Sequence, residues 1–152
     1  MHRYLLSLAC LVSLYACSGD PGSPEEQIRT YVSAAELAAE ARDVGGISDL
    51  IADEYSDQLG YDRQAVSNLF RVYFVQHQSL HLLTRIENLS FPASDVADIT
   101  VTVGVLGRES KDVSAMDDTQ WGLTTEIHRF RVQLLLDDGE WLATGAEYLR
   151  GN

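Results

Sequence analysis

The hydrophobic pattern changes its period once, at Leu80, and this change constrains the fold more than any other feature of the chain. Before it, apolar residues recur every three or four positions, as in amphipathic helices. After it, they alternate with polar residues, as in strands that are buried on one side. Helices followed by consecutive strands cannot form parallel βαβ units. The sequence therefore predicts an α+β domain in which helices cover one face of an antiparallel sheet.

Three helices are predicted before the change of period. Ser23 can cap the first, with Pro24 at its first helical position, and its apolar stripe ends before Gly45-Gly46. A short second helix is expected from about Ile47 to Ala52, and Asp62 can cap a third. The stripe of the third helix comprises Val66, Leu69, Phe70, Tyr73 and His77.

Four strands are predicted after the change of period at Leu80. The first has Leu80, Leu82, Thr84 and Ile86 on one face, and the second has Ile99, Val101, Val103 and Val105. A polar loop is expected over roughly residues 107–120, followed by a long third strand. Asp138-Gly139 then predicts a hairpin turn into a fourth strand from Trp141 to Tyr148.

The N-terminus carries a short apolar leader. His2 and Arg3 precede an uncharged segment of 12 residues, Tyr4 to Tyr15. Such a segment fits a signal peptide and is too short to cross a hydrocarbon core of about 30 Å. Leu14-Tyr15-Ala16-Cys17 resembles the lipobox of bacterial lipoproteins, which implies cleavage before Cys17 and attachment of lipid to its thiol. Ser18 after the cysteine favours the outer membrane, with the domain on the periplasmic side.

This interpretation divides the chain into a signal peptide (1–16), a lipidated tether (17–24) and one domain (25–150). Cleavage of the leader would remove Cys10, and lipidation would occupy the thiol of Cys17. The domain would then have neither a disulfide nor a free thiol. Thiol nucleophiles and cysteine-ligated zinc are thereby excluded. We expect no metal and no organic cofactor.

The formal net charge of −12 restricts the partners of the chain. Lys111 is the only lysine, and no segment concentrates basic residues. Such a surface repels nucleic acids and anionic lipid headgroups. Membrane contact is therefore expected through the acyl chains on Cys17 alone.

Three motifs lie in an order that resembles the nuclear transport factor two-like superfamily, which includes the SnoaL-like and ketosteroid isomerase-like proteins. Tyr55-x-Asp57-x-x-Gly60 precedes the third helix, and Asp138-Gly139-Glu140-Trp141 with Ala146-Glu147-Tyr148 resembles the closing hairpin. The resemblance implies a conical cavity between the helices and the concave face of a curved sheet (a cystatin-like roll). Members use this cavity for catalysis, for ligand binding or as packed core. They also often pair through the outer face of the sheet, where Leu83 and Leu135 would be exposed.

Glu126 and His128 on the third strand are the candidate acid–base pair. If Phe130 and the later apolar residues set the parity of the whole strand, both side chains point into the cavity, where they could transfer protons. Leu123, Thr125 and Ile127 alternate in the opposite phase. A one-residue bulge between Ile127 and Phe130 would turn the pair towards solvent.

Other polar residues are candidates for the pocket, each with a structural alternative. His77 and His81 have the spacing of helical metal ligands, but His81 is predicted on a strand, which makes His77 a partly buried residue bonded to backbone. Tyr55 and Asp57 lie at the expected cavity mouth or hold the loop together. Tyr31 and Tyr73 donate hydrogen bonds into the pocket or pack in the core.

The favoured hypothesis is a membrane-anchored lipoprotein that binds a small apolar ligand or a periplasmic protein without catalysis. The rival hypothesis is a small proton-transfer enzyme of the isomerase, cyclase or dehydratase type that uses Glu126 and His128, aided by Tyr73. A third is homodimerisation through the outer face of the sheet.

Overall fold

A computed structural model describes residues 22–109 and 123–150 of the chain. The predicted leader and Cys17 lie outside these residues, as does most of the predicted polar loop. Three helices precede four strands: α1 (Pro24–Glu40), α2 (Val44–Asp49), α3 (Arg63–Gln76), β1 (His77–Ala93), β2 (Val96–Glu109), β3 (Leu123–Asp137) and β4 (Glu140–Tyr148). No helix within the described ranges is long and apolar enough to cross a membrane.

The first and third helices begin where the sequence predicts. The Ser23 hydroxyl accepts the Glu26 N–H, and the Glu26 carboxylate accepts the Ser23 N–H, which forms a complete capping box at α1. The Asp62 carboxylate accepts the Ala65 N–H at 2.8 Å and caps α3. Both caps satisfy amide groups that have no partner within the helix.

The predicted second helix is wrong in position. It spans Val44–Asp49 instead of Ile47–Ala52, because the Asp43 carboxylate accepts the Gly46 N–H at 3.0 Å and starts the helix earlier. A side chain at Gly46 would lie 2.9 Å from that carboxylate, so glycine leaves room for the cap. Residues 50–56 instead run along the edge of β4, where Ala52 and Ser56 donate to the carbonyls of Ala143 and Thr144.

The four strands form one antiparallel sheet in the order β1-β2-β3-β4, which confirms the α+β prediction. β1 follows α3 without a loop and is longer than predicted, as is β2, which continues to Glu109. Bulges interrupt the β1–β2 pairing near Ile86 and the β3–β4 pairing near Gln133, and bulges bend a sheet. The curved sheet turns its concave face towards the three helices.

The core runs along the concave face as far as Leu80 and Val105, and its largest fully buried side chains lie at one end, which we call the closed end. Ile28 of α1, Ile99 of β2 and Leu134 of β3 are fully buried there. Trp141 is also buried, and its indole N–H donates to the Gln27 side chain at 3.0 Å. The predicted hairpin turn stands beside this end, and Asp138 and Gly139 both have positive φ, as a type I′ turn requires.

Candidate functional site

The other end of the concave face, which we call the open end, carries the candidate acid–base pair. Directly opposed residues of an antiparallel sheet lie on the same face. Leu82, Val105 and Glu126 form one such row across β1, β2 and β3, and Thr84, Val103 and His128 form the next. Glu126 and His128 therefore share the concave face with the buried residue Val105.

The part of β3 that the structure describes does not contain the bulge that would have turned this pair to solvent. The pairing of β2 with β3 continues without a shift from Leu123 to Leu135, so the parity set by Phe130 extends to the start of β3. Ile127 and Arg129, which alternate with Glu126, His128 and Phe130, are exposed on the opposite, outer face. The structure therefore shows the alternative in which the side chains of Glu126 and His128 point to the concave face.

Glu126 and His128 are in direct contact. The His128 Nε2 atom lies 2.9 Å from a carboxylate oxygen of Glu126. Because an ionised carboxylate can only accept, the imidazole donates through Nε2–H, and the neutral ring keeps its lone pair on Nδ1. The His128 side chain is 31% exposed and that of Glu126 is 44% exposed. Both remain accessible to a solute at the open end.

Tyr73 of α3 completes a set of three polar side chains. Its hydroxyl lies close enough to the Glu126 carboxylate for the charge of Glu126 to act on it. Burial raises the pKa of the Tyr73 hydroxyl, and the negative charge of Glu126 raises it further. Tyr73 is therefore a stable hydrogen-bond donor at neutral pH.

The surroundings of this set are apolar and aromatic. The His128 ring lies 6.1 Å from the ring of Phe130 and 5.9 Å from that of Tyr148, measured between centroids. Val103 and Phe70 are partly buried beside the core. None of the described residues that face inward from the four strands is a lysine or arginine. The open end thus combines an apolar floor with an acidic rim, which is formed by Glu126 and by Glu36 and Glu40 of α1, whose carboxylates accept from Thr84 and Leu82.

The two histidines of the predicted metal spacing lie in different environments. His77 is buried at the junction of α3 and β1, and its Nδ1 atom lies 2.9 Å from the Tyr73 carbonyl oxygen. His81 is on β1, as predicted, and its side chain is exposed. Within residues 22–109 and 123–150 there is no group of three or more His, Cys, Asp or Glu side chains that could hold a metal ion.

The other pocket candidates serve the scaffold. The Tyr31 hydroxyl donates to the Leu50 carbonyl at 3.1 Å, and burial raises its pKa. Asp57 accepts the N–H groups of Leu59 and Tyr61 at 2.8 and 2.9 Å, which holds the loop before α3. Tyr55 is buried beneath this loop, and burial followed by the charge of Asp57 raises its pKa to about 12.

Asp57 does not face the concave side. It borders a shallow depression of about 330 Å³ on the outer face, together with Arg131 and Glu147, which form an ion pair of 2.9 Å. The structure therefore brings together Tyr73, Glu126 and His128, with His77 directly behind Tyr73. It places Tyr31, Tyr55 and Asp57 elsewhere.

The comparisons by sequence gave no relative: no family model and no curated protein matches the chain. Solved structures do match. A candidate scytalone dehydratase from Novosphingobium aromaticivorans DSM 12444 has a TM-score of 0.71 and 11% identity over 84% of both chains. A hexachlorocyclohexane dehydrochlorinase from Novosphingobium barchaimii LL02 has a TM-score of 0.63 and 15% identity over 84% of this chain and 91% of its own.

A protein of unknown function from Shewanella oneidensis MR-1, described as similar to nuclear transport factor two, gives the same result. Its TM-score is 0.61 at 11% identity, over 83% of this chain and 98% of its own. At these identities, the likeness establishes the fold and nothing about the reaction. The chain has the nuclear transport factor two-like fold that its motifs predict.

Proposed function

We propose that this protein is a small enzyme that moves a proton on an uncharged, largely apolar substrate bound at the open end. The convergence of Tyr73, Glu126 and His128 on one apolar face carries the proposal. A base oriented by a carboxylate, within an accessible apolar site, is the arrangement that general acid–base catalysis needs. This assignment favours the rival hypothesis from the sequence over binding without catalysis.

In the proposed step, His128 Nδ1 takes a proton from a substrate carbon. The electron pair of that C–H bond forms a double bond to the neighbouring carbon. As this double bond forms, a leaving group on that carbon departs with its own bonding pair, or, where that carbon belongs to a carbonyl group, the C=O π pair moves onto the oxygen. Glu126 holds the imidazole through Nε2–H and stabilises the imidazolium that forms. Tyr73 stays protonated beside the same carboxylate, where it can donate a hydrogen bond.

Two of the similar structures support this class of reaction. A dehydratase removes water and a dehydrochlorinase removes hydrogen chloride, so the names of both describe eliminations. The chain offers the same fold with a proton acceptor on its concave face. The acidic rim and the absence of arginine and lysine among the described inward residues disfavour carboxylate or phosphate substrates.

Exchange of carbon-bound hydrogen tests the proton-transfer step by itself, whatever bond changes follow it. The domain is incubated with a panel of uncharged cyclic ketones in deuterated buffer, and the loss of the proton signals next to the carbonyl is followed by NMR. We expect catalysed exchange of at least one ketone, and a loss of about 10²-fold or more in His128→Gln. Arg129→Gln, one residue away on the outer face, is the matched control. Equal exchange by His128→Gln and the wild type would refute the proposal.

Binding without turnover is the second candidate, and the apolar floor around Phe130 and Val103 supports it. Native mass spectrometry of the domain purified from cells tests for a ligand that is retained during purification. If a ligand is retained and Val103→Trp abolishes its retention while no ketone exchanges, the open end is a binding site without catalysis. If the purified domain carries no ligand and catalyses the exchange, the result favours the enzymatic function.

The cellular location is part of the same proposal and is supported by the sequence alone. Lipid on Cys17 would tether the domain to the outer membrane, and two or more acyl chains anchor stably at about 0.8 kcal/mol per buried CH₂. Cys17→Ala should release the protein from the membrane fraction or leave it unprocessed. Unchanged membrane fractionation of this variant would contradict the anchor.

Pairing through the outer face is also a proposal. Leu83 is 81% exposed there and Leu135 is 37% exposed. Ile127, which shares a row with Leu83 across Gly104, is 73% exposed and extends the apolar surface. Light scattering of residues 23–152 should give twice the monomer mass, and Leu83→Asp should halve it. A wild-type mass that stays monomeric at high concentration would exclude the dimer.

A further inference from the structure

The junction of α3 and β1 is an unusual helix end, because no glycine or loop separates the two elements. α3 ends at Gln76, and His77 already has extended backbone angles. The last carbonyl groups of a helix have no partner within it and need one elsewhere. Two side chains, those of His77 and Arg42, supply such partners here.

His77 covers Tyr73 from the strand side. Its ring stacks on the Tyr73 ring with centroids 4.1 Å apart and planes inclined by 27°. Its Nδ1 atom lies 2.9 Å from the Tyr73 carbonyl oxygen. A carbonyl oxygen only accepts, so Nδ1 carries the proton and the tautomer is fixed. His77 is therefore attached to both the backbone and the side chain of Tyr73.

Arg42 holds the same junction from the end of α1. Its guanidinium donates to the carbonyls of His77 at 3.0 Å and Phe74 at 3.4 Å. Arg42 reaches this position from a backbone with φ of +55°, a conformation that costs energy for a residue with a side chain. A cation at a helix C-terminus also interacts favourably with the helix dipole.

Gly107 of β2 leaves the space in which the His77 ring sits. A methyl group at position 107 would lie 3.0 Å from His77 Cδ2 and 3.3 Å from a methyl carbon of Leu80. Both neighbours are buried, so neither can move aside into solvent. By contrast, a methyl group at Gly104 on the same strand would meet nothing closer than 3.8 Å.

We infer that Arg42, His77 and Gly107 form a clamp that positions the Tyr73 hydroxyl against Glu126. They are positioning residues, because they act on the proton-transfer set through Tyr73. The inference rests on the proposed function for its catalytic meaning, while the geometry of the clamp stands independently of it. Among the side chains that the structure describes, two ionisable groups face Tyr73: His77 at the start of β1 stacks on its ring, and the charge of Glu126 on β3 acts on its hydroxyl.

The ionisation of Tyr73 reports its position without any substrate. Tyrosinate formation is followed by near-ultraviolet absorbance as pH rises, and Tyr73→Phe identifies the contribution of Tyr73. Gly107→Ala should displace His77 and move Tyr73 away from Glu126. The pKa of Tyr73 should then fall towards that of a free tyrosine, whereas Gly104→Ala should leave it unchanged.

Two further variants keep the test decisive if Gly107→Ala does not fold. His77→Phe retains a stacking ring but removes the donor to the Tyr73 carbonyl, and Arg42→Met removes both guanidinium hydrogen bonds. Each should lower the pKa of Tyr73, and Arg42→Lys should restore part of the shift. An unchanged Tyr73 titration in folded His77→Phe and Arg42→Met would overturn the clamp. If the wild type exchanged no ketone, the proposed enzymatic function would be refuted, while the titration of Tyr73 would still test the clamp.

Discussion

The closed and open ends of the concave face are built from the same strands, yet their side chains have different tasks. Along β3, Leu134 and Glu126 point the same way, about 27 Å apart at the usual strand rise. Leu134 is fully buried, whereas the Glu126 side chain is 44% exposed. One end supplies stability and the other leaves polar groups free for a solute.

The difference follows from what covers each end. α1 places Ile28 against the closed end, and its first turn is tied to the sheet through Gln27 and Trp141. The open end is approached by the last turns of α3, through Phe70 and Tyr73. The second half of α1 reaches its β1 side with polar side chains, since Glu40 accepts the Leu82 N–H and Glu36 accepts the Thr84 hydroxyl. Incomplete burial costs stability, and functional sites commonly carry this cost. We therefore expect substitutions at the two ends to separate stability from function.

The largest expected effect on stability is at the closed end. Leu134→Ala should lower the free energy of unfolding by about 3 kcal/mol, because it removes a fully buried side chain and leaves a cavity. Leu82→Ala, which is partly buried towards the open end, should cost less, and Leu135→Ala on the outer face least. Urea unfolding of the three variants measures the order. Equal losses for Leu134→Ala and Leu82→Ala would remove the distinction between the two ends.

The turns and strands of the two ends should also differ in their need for glycine. Gly139, in the hairpin beside the closed end, has φ of +84°, so Gly139→Ala should cost about 1 kcal/mol of unfolding free energy. Gly104, on β2 behind the open end, has space for a methyl group. Gly104→Ala should change stability by less than about 0.5 kcal/mol. Thermal unfolding followed by circular dichroism compares the two, and a larger loss for Gly104→Ala would contradict the account.

At the open end, Glu126→Gln should affect ionisation far more than stability. The unfolding free energy should change by no more than about 0.5 kcal/mol, since the side chain is half-exposed. The pKa of Tyr73 should fall because the neighbouring negative charge is lost, and burial should keep it above that of a free tyrosine. Absorbance titration of Glu126→Gln, with and without the additional change Tyr73→Phe, measures the pKa of Tyr73 in this variant. An unchanged Tyr73 pKa would mean that Glu126 does not contact the hydroxyl.

The sequence predicts the closed end better than the open end, for a physical reason. Ser23, Asp62 and the Asp138-Gly139 turn act on residues next to them, and inward parity follows from alternation along one strand. These local signals are sufficient for the α+β fold and for the inward face of β1 and β2. The error at α2 has the same origin: Gly45-Gly46 indicates a break unless the Asp43 cap is recognised.

The open end depends on contacts between residues far apart in the chain. Nothing near Arg42 in the sequence indicates that it binds the carbonyl of His77, 35 residues later. The parity of Glu126 and His128 could not be decided from β3 alone, because a single bulge reverses it. The regular register of β2 with β3, which decides this parity, is visible only in the tertiary structure. Glu126, His128 and Tyr73 were identifiable as candidates, but no local signal showed that β3 would turn the first two towards Tyr73.

The smallest expected effect is on the outer face, behind the open end. There the Glu87 carboxylate accepts the Thr102 hydroxyl at 2.7 Å and contacts the Arg129 guanidinium at 2.8 Å. The hydrogen bond from Thr102, and then the charges of Arg129 and Arg85, hold the pKa of Glu87 below its ordinary value. The pair lies on the solvent-facing side of the sheet, where water screens the interaction, so its contribution to stability is small.

The sign of the pH dependence follows from that lowered pKa. The unfolded chain binds the proton more readily, so the contribution is present above the ordinary glutamate pKa of roughly 4.3 and is lost as the pH falls through the lower folded value. Glu87→Gln should therefore lower the melting temperature slightly at neutral pH, and the difference from wild type should vanish in acid. Thr102→Val should reproduce most of this loss, since Thr102 is the main cause of the shift. If the difference instead grew in acid, the outer face would stabilise the open end by another interaction.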